Sequence, residues 1–413
     1  MAAEGPELSA RLRDHCRYPR LTGEGGTVLF IEAGYFIERE CREAFAGLGW
    51  RVMALPLPPA ETFISRLLGA VMEGRPDLLF TVNHLGFDRL GSLARLLEAM
   101  ELPSVSWFVD SPAYILLHHR AVASPLTMTP VWERSWASFL TRFGFEHVFH
   151  LPLAADARGG RTGSWSPDYL RRAAFVGDSM TEAVAKWRRR LPRFRGAETL
   201  MAVAARKVNE TRGRDVPRTI TATAEKAGVG LPALPPEGQA ALETAVVLEA
   251  TRLERSRMAA AMAPLGLELF GDDGWLQYAP AGVRLNAPVD YYTGLPEVYR
   301  QTAVNLNVTS LQMPTAVNQR VFDAPVAGGF LITDMREDLE LLFDREREVA
   351  TYQTPEELPD IADFYISRDE ERRRMTGRAA QRIAAEHTYR HRIAAVVGRA
   401  RKAFAGVGRG KQG

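Results

Sequence analysis

Residues 304–334, VNLNVTSLQMPTAVNQRVFDAPVAGGFLITD, bring a strand, a polar loop, a short helix, a glycine pair and a second strand into one run. Val304, Leu306 and Val308 alternate with Asn305, Asn307 and Thr309, the period of two of a strand. Pro314 predicts a helix start, because the N–H that proline lacks would have no helical partner there. The spare amides then fall on Thr315, Ala316 and Asn318, and a helix N-terminus with its partial positive charge suits a diphosphate. Asp323, farther along that helix, is spaced to accept from a pair of ribose hydroxyls. Gly328 and Gly329 permit a sharp turn or a close backbone approach.

Outward from this run the same alternation continues. Residues 27–31, 50–55, 77–82 and 104–109 read as strands, with helices at 38–48, 63–72 and 90–100 between them. Short strands at 126–129 and 147–150 flank a helix at 133–143. Parallel strands with crossover helices follow. Residues 151–166, with Gly, Pro and Asp throughout, read as a linker that closes a first domain near residue 165.

A second set opens at 173–176 and resumes at 267–270, each strand ending on a glycine. Between them, residues 181–263 are rich in Ala, Glu, Leu and Arg and broken by Pro217, Pro232, Pro235 and Pro236, with one long helix expected over 238–262. This is a helical insertion that covers a ligand, touches a second substrate or forms a homodimer surface. Beyond 334 come a helix at 336–343, a strand at 349–352 and a helix at 355–366. Ser367 with Glu370 predicts a capping box opening a helix that runs to about 405. The expected domains are 1–165, 166–375 and a C-terminal helix with a basic tail, 376–413.

With 413 residues, two cores are the prior. A hydrophobic share of 46% and a charged share of 25% are those of an ordinary globular protein, and no apolar run approaches the ~20 residues that span a bilayer. The first residues carry charge and no apolar core of a signal peptide, so a cytoplasmic location is expected. Cys16 and Cys41 form neither a CxxC pair nor a disulfide framework. A net charge of +2 gives no reason to expect nucleic acid, and the basic tail at 399–411 reads as solvated or frayed. No P-loop, nucleophile elbow or GxGxxG fingerprint occurs, which argues against an ATPase, an α/β-hydrolase and a typical dehydrogenase.

Ligands of open parallel sheets bind beyond the carboxyl ends of the strands. That rule selects residues 32–34, 83–86 and 110–112 in the first domain, with His84 and Asp110 as candidate general bases. In the second it selects the turn Gly177-Asp178-Ser179, whose amides suit phosphate, and Gly271. Lys186 and residues 188–190 add positive charge on the following helix. Asp272 and Asp273 read as a turn rather than a metal site, and His387 with His391, lacking a third ligand, as helix surface.

The run MPTAVNQRVFDAPVAGGFLITDMREDLELLF at 313–343 resembles the donor-binding segment of GT-B glycosyltransferases, and is similar to their CgeB-like, spore-maturation-type branch. TVNHLGFD at 81–88 and SWFVDSP at 106–112 resemble the N-terminal half of the same branch. In the wider retaining families a Glu-x7-Glu pattern ends five residues before a glycine. Asp323 stands five before Gly328, and the first acidic position falls on Thr315.

The resemblance implies two Rossmann-like domains facing across a cleft, with a last helix crossing back to the first. It implies a hexosyltransferase-type enzyme that works without a metal or other cofactor and moves a sugar from a nucleotide diphosphate to a protein, glycan or small-molecule acceptor. Tyr291 and Tyr292 would stack on the nucleobase, Asp323 would hold ribose, and Arg320 would meet the departing diphosphate. The alternatives are a non-catalytic sugar-nucleotide or glycan-binding protein of spore or cell-surface assembly, and a nucleotide-sugar epimerase.

Overall fold

A computed structural model describes residues 8–120, 122–156 and 169–408. The chain divides into two compact units. One takes the described residues up to Leu153 and from Tyr389 onward, and the other is Ala154–Thr388.

The first unit is a six-stranded sheet of β1 (Gly26–Glu32), β2 (Trp50–Pro56), β3 (Leu78–Val82), β4 (Ser104–Trp107), β5 (Thr127–Val131) and β6 (His147–His150). All pairs are parallel, in the order β2-β1-β3-β4-β5-β6. Every residue of β3, LLFTV, is buried, as expected where helices cover both faces of a parallel sheet. Leu29, Leu79, Leu67, Val71, Leu93 and Leu97 join strands to helices in one core.

The second unit is also a six-stranded sheet, of β7 (Arg171–Val176), β8 (Leu267–Phe270), β9 (Arg284–Asn286), β10 (Thr302–Asn307), β11 (Leu331–Asp334) and β12 (Ala350–Tyr352). Its order is β12-β11-β10-β7-β8-β9, again all parallel. β10 is buried along its whole length, so its period of two separates two covered faces rather than core from solvent. Its asparagines bond inside: Asn305 Nδ2 donates to Tyr299 O and Phe330 O, both at 3.0 Å, and Asn307 Nδ2 donates to Thr333 Oγ1 at 2.9 Å.

Between β7 and β8 stands the helical insertion: Thr181–Arg188, Ala197–Glu210, Val216–Lys226 and the 27-residue Pro236–Met262. It has its own core of Trp187, Leu200, Met201, Ile220, Leu242 and Val246, which Leu311 joins from the other side.

Several local expectations fail for identifiable reasons. Pro314 opens no helix. Residues 315–318 are irregular, and the helix is Arg320–Val326. Asn318 Nδ2 is drawn to Asn307 Oδ1 at 2.8 Å, Thr315 O accepts from Asp338 N at 3.0 Å, and Ala316 and Val317 are buried, which pins this stretch away from helical geometry. The expected helix at 336–343 shrinks to Leu339–Leu342, because the Arg336 side chain is held by Asp334.

No capping box forms at Ser367. That residue ends the helix Leu358–Ile366, its hydroxyl donating to Asp363 O and Phe364 O. The next helix, Asp369–Glu386, begins after Arg368 with three acidic residues in its first turn. It does not run on to 405: it stops at His387, whose Nε2 lies 2.8 Å from Leu342 O, and Tyr389–Phe404 is a separate helix in the first unit. The tail at 399–404 is therefore helical and packed, with Arg399 over the Phe149 ring and Arg401 bonded to Glu24 O. Residues 409–411, and 157–166 of the expected linker, lie outside the described residues.

Candidate functional site

In the first unit the turn after β1 is fastened by Glu38, whose carboxylate accepts from Ala33 N and Gly34 N at 2.9–3.1 Å. Ile37, a β-branched residue at φ 65°, is strained within that turn. The turn brings the Tyr35 hydroxyl to Asp110 Oδ2, to which it donates a hydrogen bond. Asn83 Nδ2 donates to the same oxygen at 2.9 Å, while Asn83 Oδ1 accepts from Val109 N at 2.8 Å and Asp110 N at 3.1 Å. Asn83 and His84 both hold left-handed backbone, φ 51° and 59°, which turns the chain sharply at the end of β3. Among the described residues, Asp110 Oδ1 accepts no hydrogen bond. Burial lifts the Asp110 carboxyl above its ordinary range, and the hydrogen bonds from Tyr35 and Asn83 offset part of that.

His84, one residue after Asn83, has a different environment. It is 2% exposed, stacked on Phe87 at 4.0 Å and flanked by Phe108 and Phe145 at 5.9 Å. Its Nδ1 lies 3.1 Å from Ser106 Oγ, and its Nε2 is buried without a hydrogen bond. Burial lowers its pKa to about 3, so the ring is neutral at ordinary pH.

In the second unit the expected phosphate turn is already engaged. Gly177 N donates to Phe270 O at 2.9 Å and Ser179 N to Asp272 Oδ1 at 2.7 Å, so neither amide is open to a ligand. Asp272 also takes Ser179 Oγ at 3.1 Å. Gly271 lies against the Gly177 carbonyl, 2.3 Å from where its own Cβ would be. Among the described residues no group of three or more His, Cys, Asp or Glu is placed to hold a metal ion.

Arg320 and Asp323 lie one turn apart on the helix Arg320–Val326. A Cβ on Gly177 would stand 2.9 Å from Arg320 Nη2, so the glycine leaves room for the guanidinium across the end of β7. Asp323 Oδ2 accepts from the Tyr291 hydroxyl at 2.7 Å, and its Oδ1 from Gln319 Nε2 at 2.8 Å. Tyr291 and Tyr292 meet edge to face at 5.0 Å, in a turn fixed by Asp290, which accepts from Tyr292 N and from Thr293 N and Oγ1. Tyr292 is 45% exposed. Gly328 takes φ 86° just past the helix end, a conformational role, and Asn318 is bonded inward to Asn307.

Two residues that no sequence motif marks join these clusters, Tyr35 and Arg255, and Asn83, which the sequence singles out only as part of 83–86, joins Asp110. Arg255, from the inserted helix Pro236–Met262, donates from Nη1 to Asp178 O at 2.6 Å and to the Asp178 carboxylate, 77 residues away in sequence. No local spacing could have signalled that contact.

A family model described as glycosyl transferase-like matches residues 251–398. No curated protein matches the chain significantly in sequence. Among solved structures, a glycosyltransferase from Rickettsia africae ESF-5 is 6% identical, covering 92% of this chain and 99% of its own, with a TM-score of 0.53. HepE of Anabaena, in complex with UDP and glucose, is 8% identical over 91% and 99%, with a TM-score of 0.52. The sucrose-phosphate synthase of Thermosynechococcus elongatus is 11% identical over 92% and 99%, with a TM-score of 0.50. The two six-stranded parallel sheets with their helices are the fold of GT-B glycosyltransferases.

Proposed function

We propose that the protein is a glycosyltransferase that takes a sugar from a nucleotide diphosphate. The observation that carries this is the pair on one short helix: Arg320, a cation with no hydrogen bond or ion pair among the described residues, and Asp323, a carboxylate already accepting a hydroxyl from Tyr291. A departing nucleoside diphosphate develops negative charge, which Arg320 would meet, and ribose hydroxyls would replace or join the Tyr291 hydroxyl on Asp323. Tyr292, exposed beside Tyr291, offers a face to the nucleobase. The UDP and glucose bound by HepE of Anabaena agree with this donor class.

On the acceptor side, in the first unit, Asp110 is the better base of the two candidates. Tyr35 and Asn83 fasten Oδ2 and leave Oδ1 to take a proton, and the raised pKa makes the carboxylate more basic than usual. The acceptor oxygen would attack the anomeric carbon, the bond to the diphosphate would break, and the acceptor proton would pass to Asp110. His84, enclosed by aromatic rings and weakly basic, supports this strand end from within.

Incubating the full chain with a panel of sugar nucleotides and acceptors tests the proposal. Release of nucleoside diphosphate that depends on acceptor is the expected result. An isomerised donor would instead make the protein an epimerase, and binding without turnover a non-catalytic module.

A further inference from the structure

The helical insertion makes few commitments in sequence, yet it is tied to the strand ends of the second unit at several points. Arg212 Nη2 donates to Asp334 Oδ2 at 3.1 Å, and Thr251 Oγ1 accepts from Leu311 N at 3.0 Å. Gly213 packs so close that a Cβ there would stand 2.3 Å from Leu311 O. Arg255 is a further buried tie. It is 6% exposed, and its guanidinium carbon lies 5.6 Å from the centre of the Phe175 ring, the same distance as that of Arg320. Two guanidinium groups thus converge on one buried ring at the end of β7.

Their charges are unevenly answered. Among the described residues Arg320 has no acidic partner within ion-pair distance. Arg255 Nη1 is anchored by the Asp178 backbone carbonyl and also holds the Asp178 carboxylate, while its buried Nε makes no hydrogen bond. That carboxylate is 60% exposed, so it can leave without any buried group moving, and the carbonyl would still hold Arg255 in place.

We propose that the insertion completes the donor site: Arg255 and Arg320 together bind the diphosphate of the donor, and the Asp178 carboxylate occupies that anion position until the diphosphate displaces it. This rests on the reading of the chain as a user of nucleotide diphosphates, and it gives the insertion a part in that site. Like charges drawn to one ring favour an anion bridging them, and guanidinium groups present forked donors to phosphate oxygens. The model makes an unusual demand on Asp178. Removing its charge should tighten anion binding, where removing a purely structural acid would not.

The test is calorimetric titration of the full chain with inorganic pyrophosphate and, separately, with UDP. Asp178→Asn should bind pyrophosphate ~3-fold or more tightly than the unaltered protein, since it frees Arg255 from a half-exposed pair. Arg255→Gln and Arg320→Gln should each weaken it ~10-fold or more, with melting curves recorded to confirm folding. Asp178→Asn is informative even if Arg255→Gln fails to fold. Equal or weaker pyrophosphate binding by Asp178→Asn overturns the proposal, as does an unaltered protein that binds no pyrophosphate. Nucleotide release that depends on Arg320 but not on Arg255 leaves the glycosyltransferase reading standing and removes this one. The pyrophosphate ranking without any donor turnover does the reverse.

Discussion

Both sheets are six parallel strands, but their strand orders differ and so does what their carboxyl ends hold. In the first unit the cluster is Tyr35, Asn83 and Asp110, a carboxylate gripped by neutral donors with no cation bonded to it among the described residues. In the second, Arg212, Arg255, Arg320 and Arg336 gather near the corresponding strand ends, and Asp334 is tied to Arg336 and Arg212. Parallel sheets of the same size thus end in surroundings of different charge. A carboxylate held by neutral donors can take a proton from a hydroxyl, while guanidinium groups can hold an anion. The side chains at the strand ends make that division, since both sheets are all parallel and present carboxyl ends of the same kind.

The strongest way to break the comparison is to attack the buried charge in the second unit. Asp334 Oδ1 accepts from Thr309 N and Oγ1, and its Oδ2 accepts from Arg336 Nε at 2.7 Å and from Arg212 Nη2. Burial pushes its pKa up, but Arg336, Arg212 and Thr309 more than reverse this and hold it below the usual carboxylate range. Asp334→Ala leaves Arg336 buried and uncompensated, and should lower unfolding free energy by about 3–5 kcal/mol in urea melts. A loss near zero would mean that the network does not hold the second unit's strand ends.

Asp110→Asn sharpens the first half. Turnover should fall ~10²-fold or more with donor affinity unchanged, because the amide cannot accept the proton while Tyr35 and Asn83 keep its position. In the unaltered protein, the proposed activity should fall with decreasing pH as Asp110 takes up a proton, at a pH raised from that of an ordinary aspartate, since the ionised form would be the active one. Unchanged turnover in the variant removes Asp110 from the chemistry.

Asp323→Ala, in the second half, should weaken nucleotide binding ~10-fold through lost hydrogen bonds to a charged acceptor. Calorimetry showing equal affinity would end its assignment to ribose.

A smaller effect separates His84 from its neighbour Asp110. The folded pKa of His84 is depressed to about 3 from 6.5, so folding favours the neutral ring. Stability from that preference is present above pH 6.5 and is lost as pH falls toward 3, by at most about 1.4 kcal/mol per pH unit. His84→Asn, which tolerates the left-handed backbone, should flatten that part of the stability profile.

Periodicity and strand-end glycines made both sheets, the crossover helices and the extent of the insertion legible, because burial on two faces demands apolar runs of fixed length. The strand Leu267–Phe270 appears where the sequence places it, and the long helix begins two residues before the expected 238. The short strand Arg284–Asn286 was not legible: its three residues are polar or exposed and give no pattern. Pro314 and Ser367 misled for a common reason. Each carries a local helix-start signal, and each was overridden by contacts formed elsewhere, Asn318 to Asn307 in one case and the end of the preceding helix in the other.

By itself the sequence determined the fold class, the order of its elements and the segment that carries Arg320, Gly328 and Asp323, since these follow from local spacing. Only tertiary structure decided which neighbours those residues have. Tyr35 reaches Asp110 across 75 positions and Arg255 reaches Asp178 across 77. It also decided that the amides of Gly177 and Ser179 are engaged and that His84 is enclosed by aromatic rings. Hydrogen bonding and desolvation depend on what lies within a few ångströms in space, and the strand ends gather residues from distant turns that no sequence window contains together.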